Sequence, residues 1–386
     1  MFSQRAYAMS SSTSSSEFNK PTVLVIGATG GMGGAVTRAL LQQGWPVRAM
    51  TRHVDMARLV AAGDAACQGM AAVQWVQGDA MNAADVQRAA QGVGYIVHAA
   101  NPPRYARWRE LAMPMLAHAL AAARATGARL MLPGNVYNFG PDVYGLPQAS
   151  QHGVAESAPQ QPLTRKGAVR VEMEQMLREA SEDRAQPVRS LVLRAGDFFG
   201  GHAPSSWFGT LLVKPGQPLR KVTYPGEPDV GHAWAYLPDL ADTLVRLMAL
   251  DVQQPGRLAS FEVLHFGGHW LPCGIEMAQA IVRVGLAAHE AAAPGVPAKL
   301  PIKPLPWALL ALVSPFVEVL REMREMRYLW QVPLRLDNRK LLALLGQECH
   351  TALDEAVLAS LQALGCIPGA VESAGHQAAL KPRIVA

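Results

Sequence analysis

Hydrophobic residues follow two alternating patterns in the first half of the chain. Short apolar runs bounded by Gly, Asn or Asp occur at Thr22–Ile26, Val47–Thr51, Val73–Gln77, Tyr95–Ala99, Arg129–Leu132 and Val188–Arg194. Their length and Val/Ile/Leu content predict buried strands. Between them, apolar residues recur at three- to four-residue spacing in Met56–Ala66, Asn82–Gln91, Trp108–Thr126 and Glu172–Arg184, and again from Ala35 through Leu41. Those segments predict helices. Strands that alternate with helices imply a parallel sheet with crossovers on both faces, and ligands that bind beyond the strands' carboxyl ends. From about Gly196 the texture changes to frequent Pro, Gly and Trp with short mixed elements. The expected organisation is therefore a tail over 1–20, a nucleotide-binding unit over 21–195 to which later segments return, a smaller substrate-binding cap over 196–370, and a tail over 371–386.

The first strand runs straight into Gly27-Ala-Thr29-Gly30-Gly31-Met32-Gly33-Gly34, after which the helical pattern begins. This strand–turn–helix order is what a dinucleotide-binding loop requires. Gly27 permits the tight turn, Gly30 lets backbone amides approach a pyrophosphate, and Gly33 allows close helix–strand packing. The phosphates would sit on the helix N-terminus, where unpaired N–H groups and the macrodipole favour negative charge. Thr29, Gly31 and Met32 complete the cradle. The fold class is α/β: a Rossmann-type doubly wound parallel sheet with a smaller C-terminal substrate-binding region.

Composition narrows the class of function. The chain has 386 residues, half of them hydrophobic and 17% charged, which excludes global disorder. Its net charge of +5 is spread out, without the basic runs and interleaved aromatics of a nucleic-acid binder. Cys67, Cys273, Cys349 and Cys366 lie far apart, which points to a reducing, cytoplasmic setting and to neither a disulfide framework nor a zinc site. His265 and His269 are four apart, but Phe266-Gly267-Gly268 between them argues against a continuous helix, and no third ligand is near; no metal is expected. The Ser-rich start lacks the apolar core of a secretory signal and reads as a tail or as an upstream start before Met9. No segment reaches the length of a membrane span. Leu305–Leu320, interrupted by Pro306, Pro315 and Glu318, reads as a buried or partner-packing helix, and Glu318–Arg327 as a solvated helical face.

The Gly27–Gly33 turn resembles the fingerprint of the short-chain dehydrogenase/reductase superfamily in its extended, epimerase/dehydratase-like branch. Matching segments follow in family order: Gly78-Asp79, His98-Ala-Ala-Asn101, Asn135-Val-Tyr137, Leu193-Arg194-Ala-Gly196-Asp-Phe-Phe-Gly200 and His232-Ala-Trp-Ala-Tyr236-Leu-Pro-Asp239-Leu-Ala241. Asp337–Leu342 and Leu345–Leu353 are similar to the branch's C-terminal element, so the resemblance covers roughly residues 21–365. It implies a nicotinamide dinucleotide as cofactor. It also places Ala99, Ala100 and Asn101 beside that cofactor and Asp79 next to the adenine, although Asp79 equally suits a helix N-cap. Asn135, His232 and Tyr236 fall on the substrate side, and Asp239 reads as the N-cap of the following helix. At the end of the second strand an acid would bind the ribose hydroxyls of NAD, whereas arginine suits a 2′-phosphate. Here Thr51-Arg52 stands with no acid, so NADP is expected, with NAD as the alternative.

The chain departs from its relatives where chemistry occurs. They carry Tyr-x-x-x-Lys on a helix, and no tyrosine here has a lysine four residues on. In the register set by Glu174, Lys166 stands in the tyrosine position and Arg170 in the lysine position; Pro133 replaces the usual Ser or Thr. Three readings follow. Lys166 acts as acid or base with its pKa depressed by Arg170. Alternatively, Lys166 and Arg170 clamp an anion while Tyr137 or Tyr236 moves the proton. In the third, the protein binds cofactor without turnover, as a sensor or regulator. The expected activity is NADP-linked oxidoreduction or epimerase-like chemistry on a small sugar-like or hydroxy/carbonyl substrate, with Lys166, Arg170 and Tyr137 as catalytic candidates. Neither nucleic acid nor a membrane span is expected among its partners, and a homodimer stays open.

Overall fold

The computed structural model describes residues 19–52, 55, 59, 69–102, 108–295, 299–314 and 317–368. The predicted tails at 1–20 and 371–386 and the predicted helix Met56–Ala66 fall mostly or wholly outside these residues. Seven parallel strands form the central sheet, in the spatial order β10 (Phe261–His265), β6 (Ser190–Ala195), β5 (Arg129–Asn135), β4 (Tyr95–His98), β1 (Val23–Ile26), β2 (Val47–Thr51) and β3 (Gln74–Gln77). The order reverses between β1 and β4, which opens a crevice at their carboxyl ends.

Both sheet faces are covered. Along β1, Val23 and Val25 pack toward the helices Gly31–Gln42 and Leu237–Gln253, whereas Leu24 and Ile26 face Ala83–Ala89, Trp108–Thr126 and Arg165–Glu182. This two-residue alternation with both sides buried explains why the strands read as continuous apolar runs. A second apolar core joins Phe199, Phe208, Trp234, Ile281, Trp330 and Leu361. It is built around a three-stranded sheet of β7 (Asp197–Phe199), β9 (His232–Tyr236) and β11 (His269–Leu271), with β8 (Val222–Tyr224) and β12 (Ile302–Pro304) paired separately.

Several elements differ from the sequence expectations. The helix expected at Glu172–Arg184 spans Arg165–Glu182, because the Thr164 hydroxyl caps it by accepting from Gly167 N–H at 3.0 Å. Asp239 is not an N-cap. The helix Leu237–Gln253 starts after Tyr236, and the Asp239 carboxylate instead accepts from the backbone N–H and hydroxyl of Thr351, each at 2.7 Å. Leu305–Leu320 is not one buried helix. Trp307–Val313 and Glu318–Glu325 are separate, and Leu312 on the first is 74% exposed. Glu325 pairs with Arg165, at the start of a different helix, at 2.9 Å. Among the described residues no helix is long and apolar enough to cross a membrane.

Candidate active site

Steric demands fix the glycine-rich turn. Gly27 has φ +94°, a conformation that L side chains avoid, and a Cβ there would lie 2.7 Å from the Ala100 amide nitrogen. A Cβ on Gly33 would lie 2.1 Å from the Gly27 carbonyl oxygen, so only glycine lets helix and turn meet so closely. Gly30 is less constrained, with 3.3 Å to the same oxygen, and it sits at the N-cap of the helix Gly31–Gln42. No side chain caps that helix and no acid occupies its first turn. Its leading amides therefore project from a bare positive end, a cradle that fits a pyrophosphate.

The sheet edge supplies the remaining cofactor candidates. Thr51 ends β2 half-buried, and Arg52 follows it exposed. Asp79 does not cap a helix: Asn82 caps Ala83–Ala89, and the Asp79 carboxylate accepts from Met81 N–H at 3.0 Å. Ala99 donates its N–H to the Ile26 carbonyl at 2.9 Å, and Ala100 lies against Gly27. Thr29 lies in the exposed part of the turn.

Beyond the carboxyl ends of β1, β4 and β5 lies a cleft with a cavity of about 120 Å³. Gly31 and Met32 of the glycine turn border it, as do Asn101, Asn135, Tyr137 and Arg170. The Asn135 side-chain oxygen accepts from Tyr137 N–H at 3.0 Å, which fixes the turn that carries the tyrosine to the cleft. The Tyr137 hydroxyl accepts from the indole N–H of Trp207 at 3.2 Å. Arg170 donates to the Asn101 side-chain oxygen at 3.1 Å, and its guanidinium lies 5.0 Å from the centre of the Trp108 ring. Such stacking suits arginine's planar cation better than lysine's point charge.

Other candidates lie outside the lining. Lys166 is buried one turn before Arg170 on the same helix but does not border the cleft. Tyr236 is packed against Phe199, ring centres 5.3 Å apart, and burial raises its phenol pKa. His232 sits behind the cleft, where its Nε2 lies 2.8 Å from Oδ2 of Asp197 and its ring stacks on Trp330 at 4.0 Å. Asp197 itself lines the cleft, with Trp108, Phe198 and Trp207. Sequence reasoning assigned none of these four a role. Asp197 was the most legible of them, as a carboxylate two residues past the buried end of β6. His98, at the end of β4, is 2% exposed, and among the described residues neither ring nitrogen has a hydrogen-bond partner. Burial and the neighbouring Arg170 charge depress its pKa to about 4, so the ring is neutral.

A parallel sheet with a bare, glycine-lined helix end at its topological switch point defines a Rossmann-type dinucleotide-binding enzyme fold. The family profile "NAD dependent epimerase/dehydratase family" matches residues 23–259, and the chain belongs to that family and is an enzyme of its type. Solved structures share the fold at low identity. A UDP-glucose-4-epimerase from Stenotrophomonas maltophila with bound NAD and formylated UDP-arabinopyranose is 18% identical, with a TM-score of 0.64 over 89% of this chain and 98% of the other. A UDP-glucuronic acid 4-epimerase from Bacillus cereus, in complex with UDP-glucuronic acid and NAD, is 14% identical with a TM-score of 0.62, again over 89% and 98%. A UDP-glucose 4-epimerase from Bifidobacterium longum, in complex with NAD+ and UDP, gives 17%, 0.61, 89% and 97%. No curated protein matches the chain in sequence.

Proposed function

We propose that this enzyme carries out NADP-linked oxidoreduction or epimerase-like chemistry on a small hydroxy or carbonyl compound. One observation carries the reading: the glycine turn, the Tyr137 phenol and the Arg170 guanidinium border a single cleft at the switch point of the sheet. When bound, the nicotinamide would accept or donate hydride. Gly27 to Gly33 would hold its pyrophosphate, with Ala99, Ala100 and Asn101 alongside and Asp79 toward the adenine. Arg52 is the group placed to favour a 2′-phosphate. The solved relatives hold NAD, and the nicotinamide end is common to both cofactors.

Of the three readings of the catalytic positions, the geometry favours the second. Tyr137 exchanges a proton with the substrate oxygen, and the Trp207 N–H, which donates to the phenol oxygen, helps to orient that phenol. Arg170 orients Asn101 and presents positive charge to cofactor or substrate. Lys166 sets the charge behind Arg170 and does not meet the reacting atoms. The test is calorimetry with NADP and NAD, then nicotinamide absorbance during a screen of small aldehydes, ketones and secondary alcohols. Tyr137→Phe should keep cofactor affinity and lose turnover by roughly 10²–10⁴-fold, the usual scale for a general acid–base group. Unchanged turnover in that variant would remove Tyr137 from the mechanism. Tight cofactor binding without turnover on any carbonyl class would favour a sensor.

A further inference from the structure

We infer that the helix Trp307–Val313, together with Leu163, docks the protein on the surface of a phospholipid bilayer. The helix inverts the usual amphipathic order, in which leucines face the core and polar groups face water. Its residues Trp-Ala-Leu-Leu-Ala-Leu-Val carry no charge, yet Leu309 is 59% and Leu312 74% exposed, while Ser314 at its C-terminal cap is fully buried. Leu163, which comes from the segment before a different helix, is 67% exposed and borders one groove with Trp307 and Ala311. Among the described residues these three leucines are the large apolar side chains more than half exposed. They lie far apart in sequence and come together at one surface, so the patch is a product of the fold.

Hydrogen bonds hold the helix in this outward position. Before it, Leu305 donates its N–H to the Tyr224 carbonyl at 2.9 Å, and the Trp307 indole donates to the Pro225 carbonyl at 2.6 Å. At its end, the Ser314 hydroxyl donates to the Ala311 carbonyl at 3.0 Å and accepts from Arg324 at 2.7 Å. Area and borders decide what covers the leucines. Together they expose roughly 400 Å², whereas each partner in a stable protein complex buries about 800 Å². A bilayer needs no matching area. A seven-residue helix, about 10 Å long, can lie in its interface with the leucines sunk roughly 5–10 Å. Arg324 and Arg327 line the groove beside the helix, and the Arg327 guanidinium lies 5.1 Å from the centre of the Trp307 ring. Glu325 in the same groove is paired with Arg165. An indole with guanidinium groups beside it suits the headgroup layer, where arginine N–H groups meet lipid phosphates. Pro315 and Phe316, next along the chain, lie outside the described residues and add no charge. The groove and the cleft have no lining residue in common, so docking is independent of the reading of the cleft.

Flotation of the full chain with vesicles of mixed phosphatidylcholine and phosphatidylglycerol tests the inference. The unmutated protein should float with the vesicles at about 1 mM lipid or below, the range of a single weak anchor. The double variant Leu309→Gln, Leu312→Gln withdraws two leucines from the apolar phase and should lower partition at least roughly tenfold. Leu163→Gln, on a separate segment, should lower it severalfold, and serves alone if the double variant melts at a lower temperature. Arg324→Gln with Arg327→Gln should also weaken flotation, by roughly fivefold for each cation removed from the lipid surface. Leu358→Gln, an exposed leucine on the helix Leu353–Ala363, should leave it unchanged. No flotation of the unmutated chain, or flotation that the folded leucine variants retain in full, would overturn the inference. So would sedimentation of the lipid-free protein as a dimer that those variants dissolve, which would assign the patch to a second copy of the chain.

Discussion

The guanidinium of Arg194 donates to Nε2 of His265 at 3.1 Å, which fixes the imidazole as its neutral Nδ1–H tautomer; that N–H then donates to the Val154 carbonyl at 2.9 Å. Glu174 holds the other side of the same guanidinium through contacts of 2.5 and 3.0 Å, and Asn138 donates to Glu174 at 3.0 Å. The network lies fully buried and ties the helix that carries Arg170 to β6 and β10. Breaking one partner of a buried ion pair leaves an uncompensated charge and costs about 3–5 kcal/mol. Glu174→Gln should therefore lower the unfolding free energy by that order in urea titrations. The double variant Glu174→Leu, Arg194→Met should recover much of the loss, whereas equal destabilisation in both would show the charge is not the cause.

Acid should destabilise the protein through its buried histidines. Burial and Arg194 depress His265 to about 3, burial and Arg170 depress His98 to about 4, and burial with the nearby His350 depresses His269 to about 4. The unfolded chain takes up protons near pH 6.5 that the folded chain refuses. The stability these groups contribute is thus complete above about pH 6.5 and is lost as the pH falls toward 4, by about 1.4 kcal/mol per pH unit for each group. Glu156 and Glu348, whose pKa values burial raises, act in the opposite sense and soften the slope. Unfolding midpoints at pH 7.5 and 5 measure the balance, and a midpoint independent of pH across that range contradicts it.

Arg52 should decide cofactor preference. A well-formed guanidinium–phosphate contact contributes on the order of 1.5–3 kcal/mol, or roughly tenfold to a hundredfold in affinity. Arg52→Ala should erase a preference for NADP and leave NAD affinity nearly unchanged. Equal affinities in the unmutated chain would withdraw the preference altogether.

Arg170 borders the cleft and Lys166 does not, so their substitutions should separate. Arg170→Met should weaken cofactor or substrate binding by roughly tenfold or more, the scale of a lost charge-assisted contact. Lys166→Met should leave affinity closer to its starting value and act on turnover through Arg170. Identical effects of the two on binding and rate would place both side chains at the reacting atoms, contrary to the lining.

The sheet and its glycine turn were legible because local and tertiary demands agree there. Trp108–Thr126 forms as expected in spite of Pro114. β5 instead continues through Pro133 and Gly134, where propensity predicts an end, because those residues pair with Leu193 and Arg194 of β6. The early start of the Arg165 helix was signalled by Thr164, a cap residue overlooked beside the stronger apolar pattern downstream. The cleft was less legible. Helical spacing gives Lys166 and Arg170 one face, yet only packing against Trp108 and Asn101 decides which of them reaches the cavity. Tyr236 carries the same chemistry as Tyr137 on paper, and Phe199 seals it away.

The seventh strand of the sheet has a kinetic consequence. β10 comes from residues 261–265 and pairs with β6, while Leu240, Leu244 and Leu247 of the preceding helix cover the same core as Val23 and Val25. During synthesis, a chain that has emerged only as far as residue 195 presents β6 as an open edge and has one face of its sheet covered only in part, by the helix Gly31–Gln42. Such an edge invites pairing with other chains; closing it demands contacts about seventy residues further along the chain, and completing the cover over β1 demands contacts across more than two hundred. The sheet is therefore completed only once residues 261–265 are available, and until then its β6 edge is open to pairing with other chains.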